Sequence, residues 1–83
     1  MRLEHFYATR RARGHMLSKH QVEWHEVVEV MEQNLPPRRI RSAGAARRYY
    51  VVGRTPAGRR LKVIFELEAQ RRARIITAYQ PRS

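Results

Sequence analysis

The stretch RYYVVGRTPAGRRLKVIFEL, at positions 48–67, decides the fold. It contains two runs of β-branched and aromatic residues on either side of Thr55-Pro56-Ala57-Gly58, and Pro and Gly at such a position favour a turn. We therefore predict a β-hairpin. In its second strand apolar and polar residues alternate, so one face belongs to the core and the other faces solvent or a ligand. The core set is Leu61, Val63, Phe65 and Leu67, and the opposite set is Lys62, Ile64, Glu66 and Glu68.

Two further strands are predicted beside this hairpin. After it, the polar residues Gln70-Arg71-Arg72 favour a turn, and Arg74 to Tyr79 read as a strand that is rich in β-branched residues. Before it, Arg38 to Arg41 are predicted to form a short edge strand. Since short turns join successive strands, we expect them to run antiparallel.

Helical periodicity precedes the sheet. In residues 23–35 apolar side chains recur at i, i+3, i+4, i+7 and i+11, and four glutamates occupy other positions. The apolar stripe consists of Trp24, Val27, Val28, Met31 and Leu35. Pro36-Pro37 is predicted to end this helix. An earlier helix is predicted from roughly Glu4 to His20, in which Gly14 costs about 1 kcal/mol relative to Ala and is a candidate break.

The predicted order of elements is α-α-β-β-β-β. This order defines an α+β protein in which two N-terminal helices pack on one face of a small antiparallel β-sheet. With 83 residues, of which 42% are hydrophobic, the chain has the material for one modest core. We expect a single domain over residues 1–83.

The charge of the chain favours a polyanionic partner. The 18 Lys and Arg residues outweigh the 7 Asp and Glu residues, and all but Lys19 and Lys62 of the basic ones are arginines. Guanidinium groups bind phosphate oxygens through paired hydrogen bonds and stack on bases. Residues 23–35 are the acidic exception. We therefore expect RNA to face the arginine-rich sheet after Pro37, joined by Lys19 and His20.

The location of the protein is predicted from features that the sequence lacks. No stretch has the length and hydrophobicity of a signal peptide or of a transmembrane helix. There is no cysteine either, so disulfides and thiolate metal sites are excluded. We expect a cytoplasmic protein with no membrane partner.

Arg, Lys, His and Tyr are the main residues available for chemistry. His15, His20 and His25 are spaced five apart, which places successive imidazoles about 140° apart around a helix and argues against zinc. No glycine-rich phosphate loop or hydrolase motif is present. RNA carries its own nucleophile in the 2′-hydroxyl, so basic side chains suffice to orient it, neutralise the phosphorane charge and move protons. We expect no metal and no cofactor.

Several short strings stand in the order and spacing of a known family. They are Lys19-His20-Gln21-Val22, Glu26 in the acidic helix, Arg48 to Gly53, Gly58-Arg59-Arg60-Leu61 and Arg74 to Tyr79. From about residue 15 onwards, the chain resembles the BrnT-type toxins of bacterial type II toxin–antitoxin systems. It also resembles a related uncharacterised domain family, and both belong to the RelE-like ribonuclease superfamily. Gln21 stands where the family usually has Gly, and Tyr79 where BrnT-type toxins usually have Arg.

The resemblance implies a RelE-like fold and the activity of a toxin. Such a toxin is a metal-independent endoribonuclease that cleaves mRNA through attack of the 2′-hydroxyl. The implied partners are RNA, either free mRNA or mRNA on the ribosome, and a cognate antitoxin protein.

Six residues form the candidate catalytic set: Arg48, Arg74, Tyr79, His20, Lys19 and Lys62. Arg48 matches a family position and is expected to contact the scissile phosphate. Arg74 is expected on an apolar face in register with Ile76 and Ala78, where a guanidinium needs a partner or a phosphate. The alternative for Arg48 is a solvated arginine at the start of a strand.

The other four candidates combine stacking, proton transfer and charge. Tyr79 stacks on a base or, as the resemblance implies, donates a proton to the leaving 5′-oxygen; its alternative is a packing role near the chain end. Lys19 and His20 are candidates for general acid and base, although a basic pair at a helix C-terminus also suits the helix dipole. Lys62 projects from the non-core face of the hairpin.

Two other classes of function stay open. A non-catalytic RNA- or ribosome-binding module of the same fold would use its charge for phosphate contacts alone. A protein-interaction module would dock an acidic partner on the basic sheet.

Overall fold

The computed structural model describes residues 3, 5–41 and 47–82. The chain is an α+β protein with two helices and five strands, followed in sequence as β1 (His5–Tyr7), α1 (Arg10–His20), α2 (Trp24–Met31), β2 (Arg38–Arg39), β3 (Arg48–Arg54), β4 (Arg60–Glu68) and β5 (Arg72–Tyr79). The strands form one sheet in the order β1-β5-β4-β3-β2. No helix in this part of the chain is long and apolar enough to span a membrane.

The predicted hairpin is confirmed. β3 and β4 pair antiparallel from Arg48 opposite Glu66 to Arg54 opposite Arg60. The turn closes where the Thr55 side chain accepts from the Arg59 N–H at 3.1 Å and Gly58 adopts a φ of 89°. The predicted alternation of β4 is also confirmed. The first three residues of its core set, Leu61, Val63 and Phe65, are fully buried, and Lys62 lies on the opposite face.

One hydrophobic core joins both helices to a single face of the sheet. Helix α1 packs on β5, and α2 packs on β4 and β3. The buried residues form one cluster, made up of Met16, Val22, Val27, Val30, Met31, Val51, Leu61, Val63, Phe65, Ala73, Ile75 and Ala78. Because these strand residues all point towards the helices, the other side of the sheet carries no covering layer within the described residues.

The start of the chain differs from the prediction. The predicted helix from Glu4 to His20 begins only at Arg10, after Thr9, whose hydroxyl accepts from the Ala12 N–H at 3.1 Å. His5–Tyr7 instead forms β1, which pairs parallel with β5 and makes the sheet mixed rather than antiparallel. Glu4 lies outside the described residues. A strand forms here instead of a helix because its alternation lets Phe6 pack against the core while its neighbours point away.

The helices also end differently from the prediction. Gly14 does not break α1, which runs through it to a left-handed Gln21 with a φ of 56°. Helix α2 stops at Met31, before the predicted end at Pro36-Pro37, and its N-terminus is held by a capping box between Glu23 and Glu26. Leu35 thus leaves the helical stripe but still packs against the core.

A β-bulge changes which residues of β5 face the core. Phe65 pairs with Ile75 and Ile64 pairs with Thr77, so Ile76 has no direct partner on β4. The extra residue returns Ala78 to the core, whereas Arg74, paired with Glu66, lies on the opposite side. The prediction that Arg74 shares an apolar face with Ala78 is therefore wrong.

The last strands on either side agree with the prediction. The predicted edge strand at Arg38 to Arg41 is present as β2, which is extended by a hydrogen bond from Ile40 N–H to the Arg48 carbonyl at 2.9 Å. The predicted final strand is present as β5. It begins two residues earlier, at Arg72.

Two glycines give opposite expectations for stability. A Cβ on Gly53 would lie 2.7 Å from Leu35 Cδ1, whereas a Cβ on Gly14 meets nothing within 4 Å. We expect Gly53→Ala to lower the free energy of unfolding by about 1–3 kcal/mol through overpacking. Gly14→Ala should raise it by about 0.5–1 kcal/mol, because Ala loses less backbone entropy in a helix. Urea denaturation of both variants measures the two changes, and equal effects of the same sign would contradict this packing.

Candidate nucleic-acid interface

The side of the sheet away from the helices, here called the open face, concentrates basic and aromatic side chains. Strand register places the following basic residues on it: Arg38, Arg48, Arg54, Arg60, Lys62, Arg72 and Arg74. The two carboxylates of the sheet, Glu66 and Glu68, lie on the same face. The four glutamates of residues 23–35 belong to α2 and its caps, on the other side of the sheet. The open face is therefore net basic, whereas on the helix side the glutamates of α2 accompany the basic residues of α1.

At one end of the open face a carboxylate joins two of the predicted site arginines. Glu66 Oε2 lies 3.4 Å from Arg48 Nε and 3.1 Å from a terminal nitrogen of Arg74. The Arg74 Nε also lies 3.8 Å from Glu68. We call this group the Glu66 cluster. Both guanidinium groups keep a substantial exposed fraction, 44% and 37% of the side chain, and exposed ion pairs contribute only about 0–1 kcal/mol. Both guanidinium groups are therefore accessible to a phosphate from the solvent.

Tyr7 extends this end of the face towards the sheet edge. Its hydroxyl donates to Glu68 at 2.9 Å, and Arg72 lies over its ring at 6.0 Å from the centroid. The hydrogen bond to Glu68, followed by desolvation and the Glu68 charge, raises the pKa of Tyr7 above its usual value of 10.0. The predicted helix from Glu4 to His20 includes Tyr7, so the sequence does not predict this contact with Glu68.

In the middle of the face a lysine lies on an aromatic ring. The Lys62 ammonium is 4.3 Å from the centroid of the Tyr50 ring, a distance at which cation–π attraction operates. Tyr50 also lines an open groove of about 500 Å³ together with Arg38 and Arg60. This volume lies in the range of sites for small organic ligands, so the groove has room for a base beside a cation.

At the other end of the face, Lys62 of β4 pairs across the strands with Tyr79 of β5. The Tyr79 ring lies 5.6 Å from that of His20, and the His20 ring lies 5.6 Å from that of His15, edge-on. We call His15, His20 and Tyr79 the edge cluster. The five-residue spacing places these two imidazoles about 140° apart around the helix, and their rings nevertheless meet edge-on.

Arg59 binds the backbone at the end of α1, next to the edge cluster. In the sequence it stands out only as part of the string Gly58-Arg59-Arg60-Leu61. Its guanidinium donates to the carbonyls of His20 and Gln21 at 3.2 and 2.7 Å and to Glu26 at 2.9 Å. With side-chain exposures of 26% for Arg59 and 13% for Glu26, this pair is far more enclosed than the Glu66 cluster. Arg59 therefore has a positioning role for the end of α1.

Five of the six predicted site residues fall into two groups. Arg48 and Arg74 belong to the Glu66 cluster. Tyr79 and His20 are in contact at the β5 edge, and Lys62 lies opposite Tyr79 on β4. Lys19 is exposed in the last turn of α1 and makes no hydrogen bond or ion pair with any described residue. Lys62 and Glu66 are four residues apart on β4, so the groups are separated by about 13 Å.

A metal site is not evident at either group. In the part of the chain that the structure describes, no three His, Asp or Glu side chains lie close enough together to hold an ion.

Comparison with known proteins adds no identification. No protein-family model matches the chain, and no curated protein matches it.

Tyr7 supplies a direct test of the open-face contacts. Because its folded pKa is raised, the protonated phenol contributes stability below about pH 10, and this contribution is lost as the pH rises through the folded value. We expect Glu68→Gln to lower the midpoint of Tyr7 ionisation, since it removes the anionic acceptor. Ultraviolet titration of the chain minus that of Tyr7→Phe isolates this midpoint.

Glu29→Gln is the matched control for that titration. It removes one carboxylate from α2, on the far side of the sheet, and should leave the Tyr7 midpoint in place. Equal shifts in Glu68→Gln and Glu29→Gln would show that net charge, and not the hydrogen bond, sets the pKa of Tyr7.

Proposed function

We propose that the chain is a metal-independent endoribonuclease that binds RNA on the open face and cleaves it at the β5 edge. The observation that carries the proposal is the contact between the Tyr79 and His20 rings, which puts a phenol beside an imidazole at one end of a basic face, with Lys62 opposite Tyr79 on β4. These groups supply the charge and the proton transfer that cleavage of RNA needs. The resemblance to BrnT-type toxins points to the same chemistry and to a RelE-like fold.

The proposed reaction uses the RNA itself as the nucleophile. The 2′-oxygen attacks the neighbouring phosphorus while the bond from phosphorus to the 5′-oxygen breaks, leaving a 2′,3′-cyclic phosphate and a 5′-hydroxyl. His20 accepts the proton of the 2′-hydroxyl, and Tyr79 donates a proton to the leaving 5′-oxygen. Lys62 neutralises charge on the phosphorane oxygens. Lys19, exposed beside His20, adds positive charge for an approaching strand.

Binding in this proposal extends beyond the cleaved bond. An RNA strand that runs along β4 and β5 reaches from the edge cluster to the Glu66 cluster, where Arg48 and Arg74 take an adjacent phosphate. Tyr50, with Lys62 on its ring, offers a stacking surface for a base. The acidic helix α2 lies on the far side and so does not repel the strand.

We also propose a biological setting in line with the resemblance. The chain acts on mRNA, free or on the ribosome, as the toxin of a type II pair, and a cognate antitoxin protein restrains it in the cytoplasm. A basic open face suits an acidic segment of such a partner as well as it suits RNA. A neighbouring reading frame that encodes a small DNA-binding protein would support this setting.

A non-catalytic RNA-binding module is the second candidate, and one observation favours it. Arg48 and Arg74, both expected to contact the scissile phosphate or its neighbour, already have a carboxylate partner in Glu66. In that case the open face binds phosphates without cleaving RNA, and the edge cluster serves to pack α1 against β5.

Cleavage of a defined RNA separates the two candidates. We expect the purified chain to cut single-stranded RNA in the presence of EDTA and to leave 2′,3′-cyclic phosphate ends. The same RNA with 2′-O-methyl groups throughout should bind and stay intact, because it lacks the nucleophile. Binding with a steep salt dependence but no cleavage, on free RNA and on ribosome-bound mRNA, would select the second candidate.

Charge-matched variants locate the binding surface in the same experiment. Lys62→Gln removes a cation from the open face and should reduce the slope of log affinity against log salt by about 1. Arg11→Gln removes a cation from the exposed side of α1 and should change the slope little. Equal losses for both would place RNA binding elsewhere than on the open face.

A further inference from the structure

The edge cluster contains a second imidazole that the proposed reaction does not use. His15 is exposed on α1, and its ring meets the half-buried His20 ring edge-on at a centroid distance of 5.6 Å. The other two histidines have no such neighbour. His5 lies on β1, and His25 lies on α2, where Glu23 approaches it at 3.7 Å.

The backbone that carries His20 is held in place at the end of α1. Helix α1 ends at His20 because Gln21 and Val22 donate back to the carbonyls of Leu17 and Met16, at 3.0 and 3.1 Å. Arg59 then binds the carbonyl of His20 itself at 3.2 Å.

The pair also lies beside an open strand edge. β1 pairs with β5 only at Arg72–Arg74, so the stretch from Ile75 to Tyr79 has no strand neighbour on that side among the described residues. A ligand can therefore approach the edge cluster from the solvent without displacing a strand.

The charged groups around the pair leave it without an anion. Arg59 is engaged with Glu26 at 2.9 Å, and Lys19 adds a further positive charge in the last turn of α1. None of the described carboxylates forms an ion pair with His15 or His20. The surroundings of the pair therefore favour a bound anion.

We infer that His15 and His20 together form a phosphate-binding site for the scissile group of RNA, at the free edge of β5. This inference rests on the proposed function and adds a residue, His15, to it. His15 donates a hydrogen bond to a non-bridging phosphate oxygen, and His20 accepts the 2′-hydroxyl proton as the 2′-oxygen attacks phosphorus. The 5′-oxygen leaves with the proton from Tyr79. The proton gained by His20 then returns through water to the Tyr79 phenolate, so that both groups regain their starting states.

Nuclear magnetic resonance of the imidazole groups tests the site directly. The probe is inorganic phosphate, with sodium chloride at equal ionic strength as the reference. We expect the His15 and His20 signals to move and saturate with phosphate, and those of His5 and His25 to change only as in chloride. Four histidines that respond alike, or none that respond, would overturn the inference.

Variants give the test a quantitative scale. His15→Asn removes one charged donor and should weaken phosphate binding at His20 by roughly tenfold or more, the loss expected for a hydrogen bond to a charged group. His25→Asn, the matched control on α2, should leave it unchanged. His15→Gln should reproduce the effect of His15→Asn, because the side chain at position 15 is exposed on α1 and the fold does not depend on it.

Cleavage by the same variants distinguishes this inference from the proposed function. Saturable phosphate binding at His15 and His20 in a chain that cuts no RNA would uphold the site and overturn the endoribonuclease. Cleavage that His15→Asn leaves at the wild-type rate would overturn the site and uphold the endoribonuclease. Loss of cleavage with retained RNA binding in His15→Asn would support both.

Discussion

The guanidinium of Arg59 joins the three parts of the molecule on which the candidate site depends. From the end of the hairpin turn it binds the last carbonyl of α1, the carbonyl of Gln21 and the carboxylate of Glu26, and its Nε lies 3.4 Å from the side-chain oxygen of Gln80 after β5. The hairpin, both helices and the final strand are thereby held in one arrangement. Without it, two carbonyls and a carboxylate that is 13% exposed would lose their donor, and an acceptor that loses its donor in a partly buried position destabilises the fold.

The contrast with the Glu66 cluster separates structural charge from available charge. Arg48 and Arg74 are paired on an exposed face, where such pairs contribute at most about 1 kcal/mol, and both guanidinium groups remain accessible to a phosphate. Arg59 is enclosed by backbone carbonyls and has no comparable freedom. The high net charge is therefore not spread evenly over the molecule. It is concentrated on the open face, while the glutamates of α2 lie behind the core.

The hairpin and the final strand could be predicted because alternation and turn residues are local signals. The short strand at His5–Tyr7 could not, since three residues give no clear period and the strand exists only through pairing with β5, more than 60 residues away in sequence. The bulge at Ile76 was equally hidden, because Arg74 to Tyr79 alternate in a way that fits either register. Because of the bulge, Ala78 faces the core while Arg74 lies on the open face, so the two do not share the predicted apolar face.

The candidate site was predictable in its residue types and less so in its grouping. Lys62 was correctly placed on the non-core face by simple alternation. The contact between His15 and His20 was missed, because an angle around a helix does not describe where two long side chains meet beyond its last turn. Arg59 looked like one more arginine in a basic hairpin. Its role depends on contacts with residues 20, 21 and 26, which no local pattern reveals.

The central claim is that RNA binds the open face and the β5 edge, and amide chemical shifts measured while single-stranded RNA is added to the labelled chain test it most directly. The account predicts that the largest changes fall on β3, β4, β5 and the last turn of α1, and that α2 changes little. Changes centred on α2 would contradict it. So would the absence of any change at low salt, where basic proteins bind RNA non-specifically.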